Sequence, residues 1–248
     1  MARIPTAAGT GRLMPDDSHF WISLGEIVWI NILLSGDNAV VIALACRSLP
    51  REMRKWGVLL GVAPAIVLRV LFTGFVGALL AVPWLKLIGA ALLLWIATGL
   101  MLPEEETGTG IPGEHHGSLW VAVRTIVVAD AVMSLDNVIA IAAAANGDTV
   151  LLVAGLLLSM PMVIFGSALL LAIMERWPVL VVAGAALLGW IAGELALSDP
   201  ALHGWGEHAG PLLAYGVPAM GAALVVAAGT IWAGWRQRPQ QKVGERHP

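Results

Sequence analysis

The sequence contains little cysteine and little charge. Its single cysteine, Cys46, excludes a disulfide framework within the chain and a metal site built from clustered cysteines. Only 12% of the 248 residues are charged, whereas soluble domains average about 25%. Because 58% of the residues are hydrophobic, the composition indicates an integral membrane protein. The net charge of −3 gives no indication of a nucleic-acid partner.

A cleavable signal peptide is not expected. The first apolar run starts near Phe20, after a short acidic stretch, without a basic flank or a small-residue cleavage pattern. We interpret residues 1–18 as a polar leader, 19–236 as one transmembrane domain and 237–248 as a polar tail.

Seven apolar runs are long enough to be transmembrane helices, for which about 20 residues suffice. Proline, glycine and charged residues separate them. The predicted fold is therefore all-α, a polytopic membrane protein with seven transmembrane helices. The spans are predicted at 20–46, 56–81, 84–102, 118–145, 149–173, 178–196 and 212–235.

The distribution of lysine and arginine predicts the orientation, because basic loops stay in the cytoplasm. With the N-terminus outside, nine basic residues fall on the inner side and only Arg3, Arg12 and Lys86 fall on the outer side. We therefore expect a multi-pass protein with its N-terminus outside and its C-terminus in the cytoplasm.

Two polar stretches interrupt the apolar runs, Asn31-Ile-Leu-Leu-Ser-Gly-Asp-Asn38 and Asp130-Ala-Val-Met-Ser-Leu-Asp-Asn137. A second span with a proline in its first half follows each stretch, at Pro64 and Pro161. A shift of 99 positions aligns Asn31 with Asp130, Ser35 with Ser134, Asp37 with Asp136 and Asn38 with Asn137.

This repeat predicts an architecture. The repeat unit comprises three helices, about 20–102 and about 118–196, and the helix at 212–235 is additional. Because three is odd, the second unit must enter the membrane from the opposite face. Inverted repeats of this kind occur in many transporters, whose substrate sites lie near the bilayer midplane at the repeat interface.

The polar stretches carry the residues of a predicted site. On continuous helices, residues four and seven apart share a face. Asp37 and Asp136, the aspartates of the Ser-x-Asp-Asn motif that both stretches contain, each lie one residue away from those faces. Carboxylate, amide and hydroxyl oxygens favour calcium, magnesium or manganese over copper or structural zinc. One face carries Asn31, Ser35 and Asn38, and the other carries Asp130, Ser134 and Asn137.

A count of charges within the spans also favours a cation. Asp37, Asp130 and Asp136 are opposed by Arg69 and Arg124, and three minus two leaves one negative charge. Protonation of a carboxylate is the alternative way to remove that charge. We interpret the two arginines as structural or gating partners of the acids.

With these motifs in view, the chain resembles the TerC family of integral membrane proteins, most closely its YjbE-like branch. The resemblance lies in Leu34-Ser-Gly-Asp-Asn-Ala-Val-Val-Ile-Ala-Leu-Ala45 and Ala129-Asp-Ala-Val-Met-Ser-Leu-Asp-Asn-Val-Ile-Ala-Ile-Ala142, and it covers roughly residues 20–235. It implies divalent metal transport across the bacterial inner membrane, above all manganese export. The implied metal ligands are Asp37, Asn38, Asp130, Asp136 and Asn137.

The leading hypothesis is a manganese exporter rather than an enzyme, with the metal as substrate, the lipid bilayer as surroundings and no resident cofactor. Two alternatives stay open. One is a membrane partner that loads metal onto exported proteins, which would use the same site. The other is an intramembrane aspartyl protease, in which two aspartates on separate helices share a proton. Whether the chain forms a homo-oligomer is also left open.

Overall fold

The computed structural model describes most of the apolar part of the chain. In this part the residues form α-helices and one short 3-10 helix, Pro200–Leu202, without a β-strand. The leader and tail lie almost wholly outside the described residues, as does the acidic loop at 104–117. The described ranges are 18–75, 78–79, 82–101, 118–145, 149–202 and 210–237.

The all-helical prediction is confirmed over these ranges, and each of the last six predicted spans overlaps one long helix. The long helix of the second span ends at Gly74, before the predicted end at residue 81. The helices are α1 (Ser18–Leu33), α2 (Gly36–Arg47), α3 (Arg51–Gly74), α4 (Leu85–Met101), α5 (Leu119–Ala145), α6 (Thr149–Arg176), α7 (Val179–Leu197) and α8 (Pro211–Gln237).

The first predicted span is not one helix, so the prediction of a continuous helix at 20–46 is wrong. The chain leaves the helical path at Leu34 and Ser35, between α1 and α2. Serine, glycine, aspartate and asparagine follow one another here, and their backbone freedom or local hydrogen bonds oppose a helix. The Asp37 carboxylate, for example, accepts the N–H of Asn38 at 2.7 Å. The break therefore arises from the polar stretch itself.

The basic segment from Arg51 to Lys55, which the sequence predicts as a loop, is instead the first turn of α3. Pro50 is the residue that caps its N-terminus, and the Pro50 carbonyl oxygen accepts the N–H groups of Met53 and Arg54. Arg54 then donates to the carbonyl oxygens of Leu49 and Arg47, at 2.9 and 3.3 Å, and forms an ion pair with Glu175 of α6. These contacts join the ends of α2, α3 and α6 at one face of the bundle.

The helices pack in a regular pattern. α3 packs mainly against α5, α6 packs against α1 and α2, and α4 packs against α7. Gly61 of α3 faces the buried side chain of Ile126, and Gly155 of α6 faces that of Ile27. In both places a small residue lets a helix approach its neighbour closely.

α8 packs chiefly against α7, and glycine makes that approach possible. A Cβ added at Gly189 would lie 2.5 Å from the carbonyl oxygen of Gly221, and one at Gly193 would lie 2.5 Å from the Cα of Pro218. The neighbouring atoms are backbone atoms, which cannot rotate away, so these two positions of α7 require glycine.

Among the residues that the structure describes, four helical segments are long and apolar enough to cross a membrane, and α4 is a shorter apolar helix. Trp21, Trp84 and Trp120 lie close to helix ends and are exposed, and an indole at such a position suits the headgroup region of a bilayer. The four segments of membrane-spanning length are Arg51–Gly74, Val153–Arg176, Val179–Leu197 and Leu212–Trp232.

Asp199, just after α7, is a buried acid that fixes the start of α4. One of its oxygens accepts the N–H groups of Trp84 at 3.0 Å and Ala201 at 2.8 Å, and the other accepts that of Leu87 at 3.1 Å. Burial alone would raise the pKa of Asp199, but these backbone donors hold it below its ordinary value of 3.8. A helix N-terminus carries unsatisfied N–H groups and favours an anion.

We predict that Asp199→Asn destabilises the protein at neutral pH by about 1–3 kcal/mol, because the amide nitrogen cannot accept the backbone N–H groups. The folded-state pKa is depressed, so the contribution of Asp199 is complete above pH 3.8 and is lost as the pH falls through the lower folded pKa. Thermal unfolding of the detergent-solubilised protein measures this effect. Glu194→Gln, at an exposed acid of α7, is the control; equal stability losses in both variants would contradict the prediction.

Candidate metal site

A small cavity lies between α2, α3, α5 and α6, at the level of the two polar stretches. Its volume is ≈ 40 Å³, and most of its wall is formed by aliphatic side chains and a methionine. The polar residues in the wall are Ser35, Asn38, Arg69, Asp130 and Ser159.

The strongest polar contacts at the cavity link α3 to α5. The guanidinium of Arg69 donates through one terminal nitrogen to Asp130 Oδ1 at 2.5 Å and through Nε to Ser134 Oγ at 3.1 Å. The hydroxyl of Ser134 in turn donates to Asp130 Oδ2 at 3.2 Å. The side chains of Arg69 and Asp130 are only 6% and 13% exposed. A buried carboxylate and a buried guanidinium thus neutralise each other in an apolar setting.

The helix break supplies a second group of contacts. Because the backbone leaves the helix at Leu34, its carbonyl oxygen is open to side chains. It accepts the Nδ2 groups of Asn38 at 3.4 Å and of Asn137 at 3.3 Å. The asparagines of the two polar stretches therefore meet at one backbone oxygen, across the interface between α2 and α5.

The oxygen of the Asn38 side-chain amide has no such hydrogen-bond partner. Asn38 is 4% exposed, and its Oδ1 is buried without a hydrogen-bond partner among the described residues. Burying a carbonyl-type oxygen unpaired costs about 1–3 kcal/mol. An acceptor held in this way at a cavity wall suits a hydrogen-bond donor or a cation.

Asp37 adds a second negative charge at this level. Its side chain is partly buried, and it interacts electrostatically with Arg69 and Asp130. If both acids are ionised, two carboxylates and one guanidinium leave one negative charge. No cluster of three or more histidine, cysteine or acidic side chains occurs in the described part of the chain. The oxygen donors are thus largely amide, hydroxyl and backbone groups.

The structure brings together most of the residues predicted from the sequence. Two of them are not described at the side-chain level, Asn31 in α1 and Asp136 in α5. Consequently the predicted approach of Asp37 to Asp136 stays a prediction. The predicted residues that do surround or adjoin the cavity are Ser35, Asp37, Asn38, Arg69, Asp130, Ser134 and Asn137.

Two predictions about the site are corrected. Asn31, Ser35 and Asn38 do not form one helical stripe, because the helix is interrupted between the first residue and the last. Arg124 does not join the acids: its side chain is exposed. Arg124 precedes Asp130 by six residues, which places it about 120° around α5 and about 9 Å along its axis.

Two features of the site were missed in the sequence. The Leu34 carbonyl takes part only because the helix breaks, and the Ser-Gly pair after it was the available signal. Ser159 of α6 lines the cavity although nothing in its apolar surroundings marks it; its hydroxyl donates to Leu156 O at 2.8 Å.

The fold and the site together define an α-helical integral membrane protein with a buried charged site between its helices. Comparison with known families identifies it further: the family described as "Integral membrane protein TerC family" matches residues 16–240. The chain therefore belongs to the TerC family.

Individual relatives agree with this assignment. The "uncharacterized membrane protein YjbE" of Bacillus subtilis is 40% identical over 206 residues, covering 79% of this chain and 92% of the relative. The B. subtilis "uncharacterized membrane protein YceF" is 28% identical, covering 73% and 72%. The "UPF0053 inner membrane protein YoaE" of Escherichia coli is 29% identical, covering 67% of this chain but only 35% of the relative. No solved structure matches the chain significantly.

We predict that Asp130→Asn destabilises the protein by about 3–5 kcal/mol, because it leaves a buried guanidinium without its carboxylate. Arg69→Gln should have a comparable effect for the converse reason. The double variant Arg69→Gln/Asp130→Asn should lose clearly less than the sum, since it buries no uncompensated charge. Thermal unfolding of the four proteins completes the cycle. Additive losses would show that the two residues do not stabilise each other.

Proposed function

We propose that this protein transports a divalent metal cation across the bacterial inner membrane, with manganese as the substrate and export as the direction. The proposal rests on the buried site; the choice of manganese and of export comes from the family resemblance. The residues proposed to hold the ion are Asp37, Asn38, Asp130, Asp136 and Asn137.

The observation that carries the proposal is the buried Oδ1 of Asn38. Asn38 lines a cavity that Asp130 also lines, and no described residue donates a hydrogen bond to this oxygen. A cation beside these two groups would satisfy the amide oxygen and balance the excess negative charge. A structural polar cluster would be expected to satisfy its own acceptors, as most buried polar groups do.

The donor set also fits an ion that must be released. Manganese, magnesium and calcium prefer oxygen ligands. Few of the described groups near the cavity are carboxylates; the others are neutral amide and hydroxyl oxygens. A site with few charged ligands binds less tightly than a cage of acids, and a transporter has to let its ion go.

The helix break supports a transport role. Transporters often coordinate cations with unwound backbone and the C-terminal ends of discontinuous helices, where the helix dipole is negative. α1 ends immediately before the site, and the Leu34 carbonyl points toward the two asparagines that adjoin it. A cation near this helix end would experience a favourable field.

We further propose seven membrane spans arranged as two inverted three-helix repeats plus α8, with α1 and α2 together forming the first span. The packing pattern supports this, since α3 packs on α5 as α6 packs on α1 and α2. Ile27 and Ile126 also lie 99 positions apart, and each faces a glycine of the other repeat. A pseudo-twofold axis would relate these two contacts.

The proposed orientation keeps the N-terminus outside and the C-terminus in the cytoplasm, on the evidence of the basic residues. The Arg54–Glu175 pair then lies at the cytoplasmic face. A bacterial inner-membrane location agrees with the relative YoaE, whose name places it there.

The contacts of Asp130 do not favour a part for this residue in the protease alternative. A proton-sharing dyad needs two carboxyl groups that face each other, whereas both oxygens of Asp130 are engaged by Arg69 and Ser134. An adjacent guanidinium stabilises the ionised carboxylate and so opposes the shared proton.

We predict that millimolar manganese raises the thermal stability of the purified protein and that Asp136→Asn abolishes this gain without unfolding the protein. A ligand that binds only the native state stabilises it by about 2.7 kcal/mol at one hundred times its dissociation constant. The amide keeps the shape of the carboxylate but removes the charged ligand, and it is cheaper to bury.

Glu26→Gln, at an exposed acid of α1, should keep the full manganese effect. If Asp136→Asn keeps it too, Asp136 is not a ligand, and Asp37 and Asp130 become the charged ligands of the site. A parent protein that manganese does not stabilise would contradict the proposed function.

A further inference from the structure

The two repeats differ in one buried cation of the site, Arg69, which only the first repeat contains. Arg69 lies five residues after Pro64 in α3, and the position five residues after Pro161 in α6 is Gly166. The acid that Arg69 binds also occurs in only one repeat, because Asp130 of the second polar stretch corresponds to Asn31 of the first. The arginine therefore occurs only in the first repeat and its partner aspartate only in the second, and neither has a counterpart in the other repeat.

The contact leaves Asp130 little freedom to bind anything else. Oδ1 receives the guanidinium and Oδ2 receives Ser134, which Arg69 itself holds through Nε. The guanidinium is a cation and lies in the wall of the same cavity as Asp130 and Asn38. A divalent ion placed against that carboxylate would meet a second positive charge in a poorly solvated space.

We propose that Arg69 is an internal cation that competes with the transported metal for Asp130. This inference rests on the proposed function and specifies how that site works. The Asp130 carboxylate alternates between two partners: the guanidinium holds it when no metal is bound, and the guanidinium withdraws when the metal binds. Arg69 is thus a positioning residue that acts on the metal through Asp130 and is not itself a ligand.

The competition has a mechanistic consequence. Once metal has left, Asp130 would be an uncompensated buried charge, and an uncompensated charge opposes passage through the apolar part of a conformational cycle. The guanidinium neutralises it and allows the metal-free protein to return. Arg69 should therefore weaken metal binding and at the same time be required for net transport, but not for the exchange of one metal ion for another.

The test uses the full-length protein and manganese as the probe. In Arg69→Gln, half-maximal thermal stabilisation should occur at about tenfold lower manganese concentration than in the parent, within the usual range of coupling between two sites. Arg69→Lys retains the positive charge and should stay near the parent. In proteoliposomes, Arg69→Gln should exchange manganese across the membrane but show little net uptake into metal-free vesicles.

Loss of folding does not make the variant uninformative. If Arg69→Gln unfolds in metal-free buffer, purification in millimolar manganese should restore the folded protein, because the metal replaces the missing charge beside Asp130. Failure of manganese to restore it, or a midpoint equal to or higher than that of the parent, would overturn the competition. If the parent itself shows no response to manganese, the proposed function fails instead, so the two failures are distinguishable.

Discussion

The ion pair between Asp130 and Arg69 is the contact on which the architecture of the site depends. Neither charge could remain in an apolar helix bundle alone, because an isolated buried ion costs far more than a protein of ordinary stability can offset. Together with Ser134 they form a closed set of hydrogen bonds that fixes α3 against α5. A pair of this kind is seldom the most stable solution, since well-packed apolar residues often replace buried ion pairs without loss. Its presence at a cavity is therefore better explained by function than by stability.

The broken first helix complements that pair. A continuous helix would have kept the Leu34 carbonyl within its own hydrogen-bond ladder. The interruption instead brings Asn38 and Asn137 to the same oxygen, while the side-chain carbonyl of Asn38 has no hydrogen-bond partner among the described residues. The cavity thus has the Arg69–Asp130 ion pair on one side and neutral amide and hydroxyl groups on the other. This combination of a held charge and an unsatisfied acceptor is what a transient cation site requires.

Much of this could be predicted from the sequence. The apolar runs gave the positions of α3 to α8, because a span needs a minimum length of apolar residues that few other structures need. The Ser-x-Asp-Asn motifs indicated polar residues that contact one another in the structure, since polar residues inside such runs need partners. Two kinds of detail could not be predicted. The helix break at Ser35 depends on whether the backbone freedom of the Ser-Gly pair outweighs the tendency of the apolar flanking residues to continue the helix. The periodicity of apolar residues does not show which of the two is stronger. The pairing of charges depends on which helix faces meet, so the sequence alone does not distinguish the buried Arg69 from the exposed Arg124.

Buried charge outside the site was also missed. Lys86 was counted as a charge of the outer side, but it is only 7% exposed and donates to Ser198 at 3.2 Å. Asp199 lies just after an apolar span and no sequence pattern marks it, although it caps α4. Loop composition alone could not show that these short connections fold back onto helix ends.

The central claim is that the cavity between α2, α3, α5 and α6 binds and passes a divalent metal, and manganese entry into proteoliposomes tests it most directly. The informative comparison is between the parent protein and Asn38→Leu, which replaces the unsatisfied amide by an apolar side chain of similar size. Because this change removes a buried acceptor without stranding a charge, the variant should fold at least as well as most core variants. The account predicts manganese entry with the parent and none above protein-free vesicles with Asn38→Leu. Equal entry with both proteins, or no entry with the parent, would contradict it.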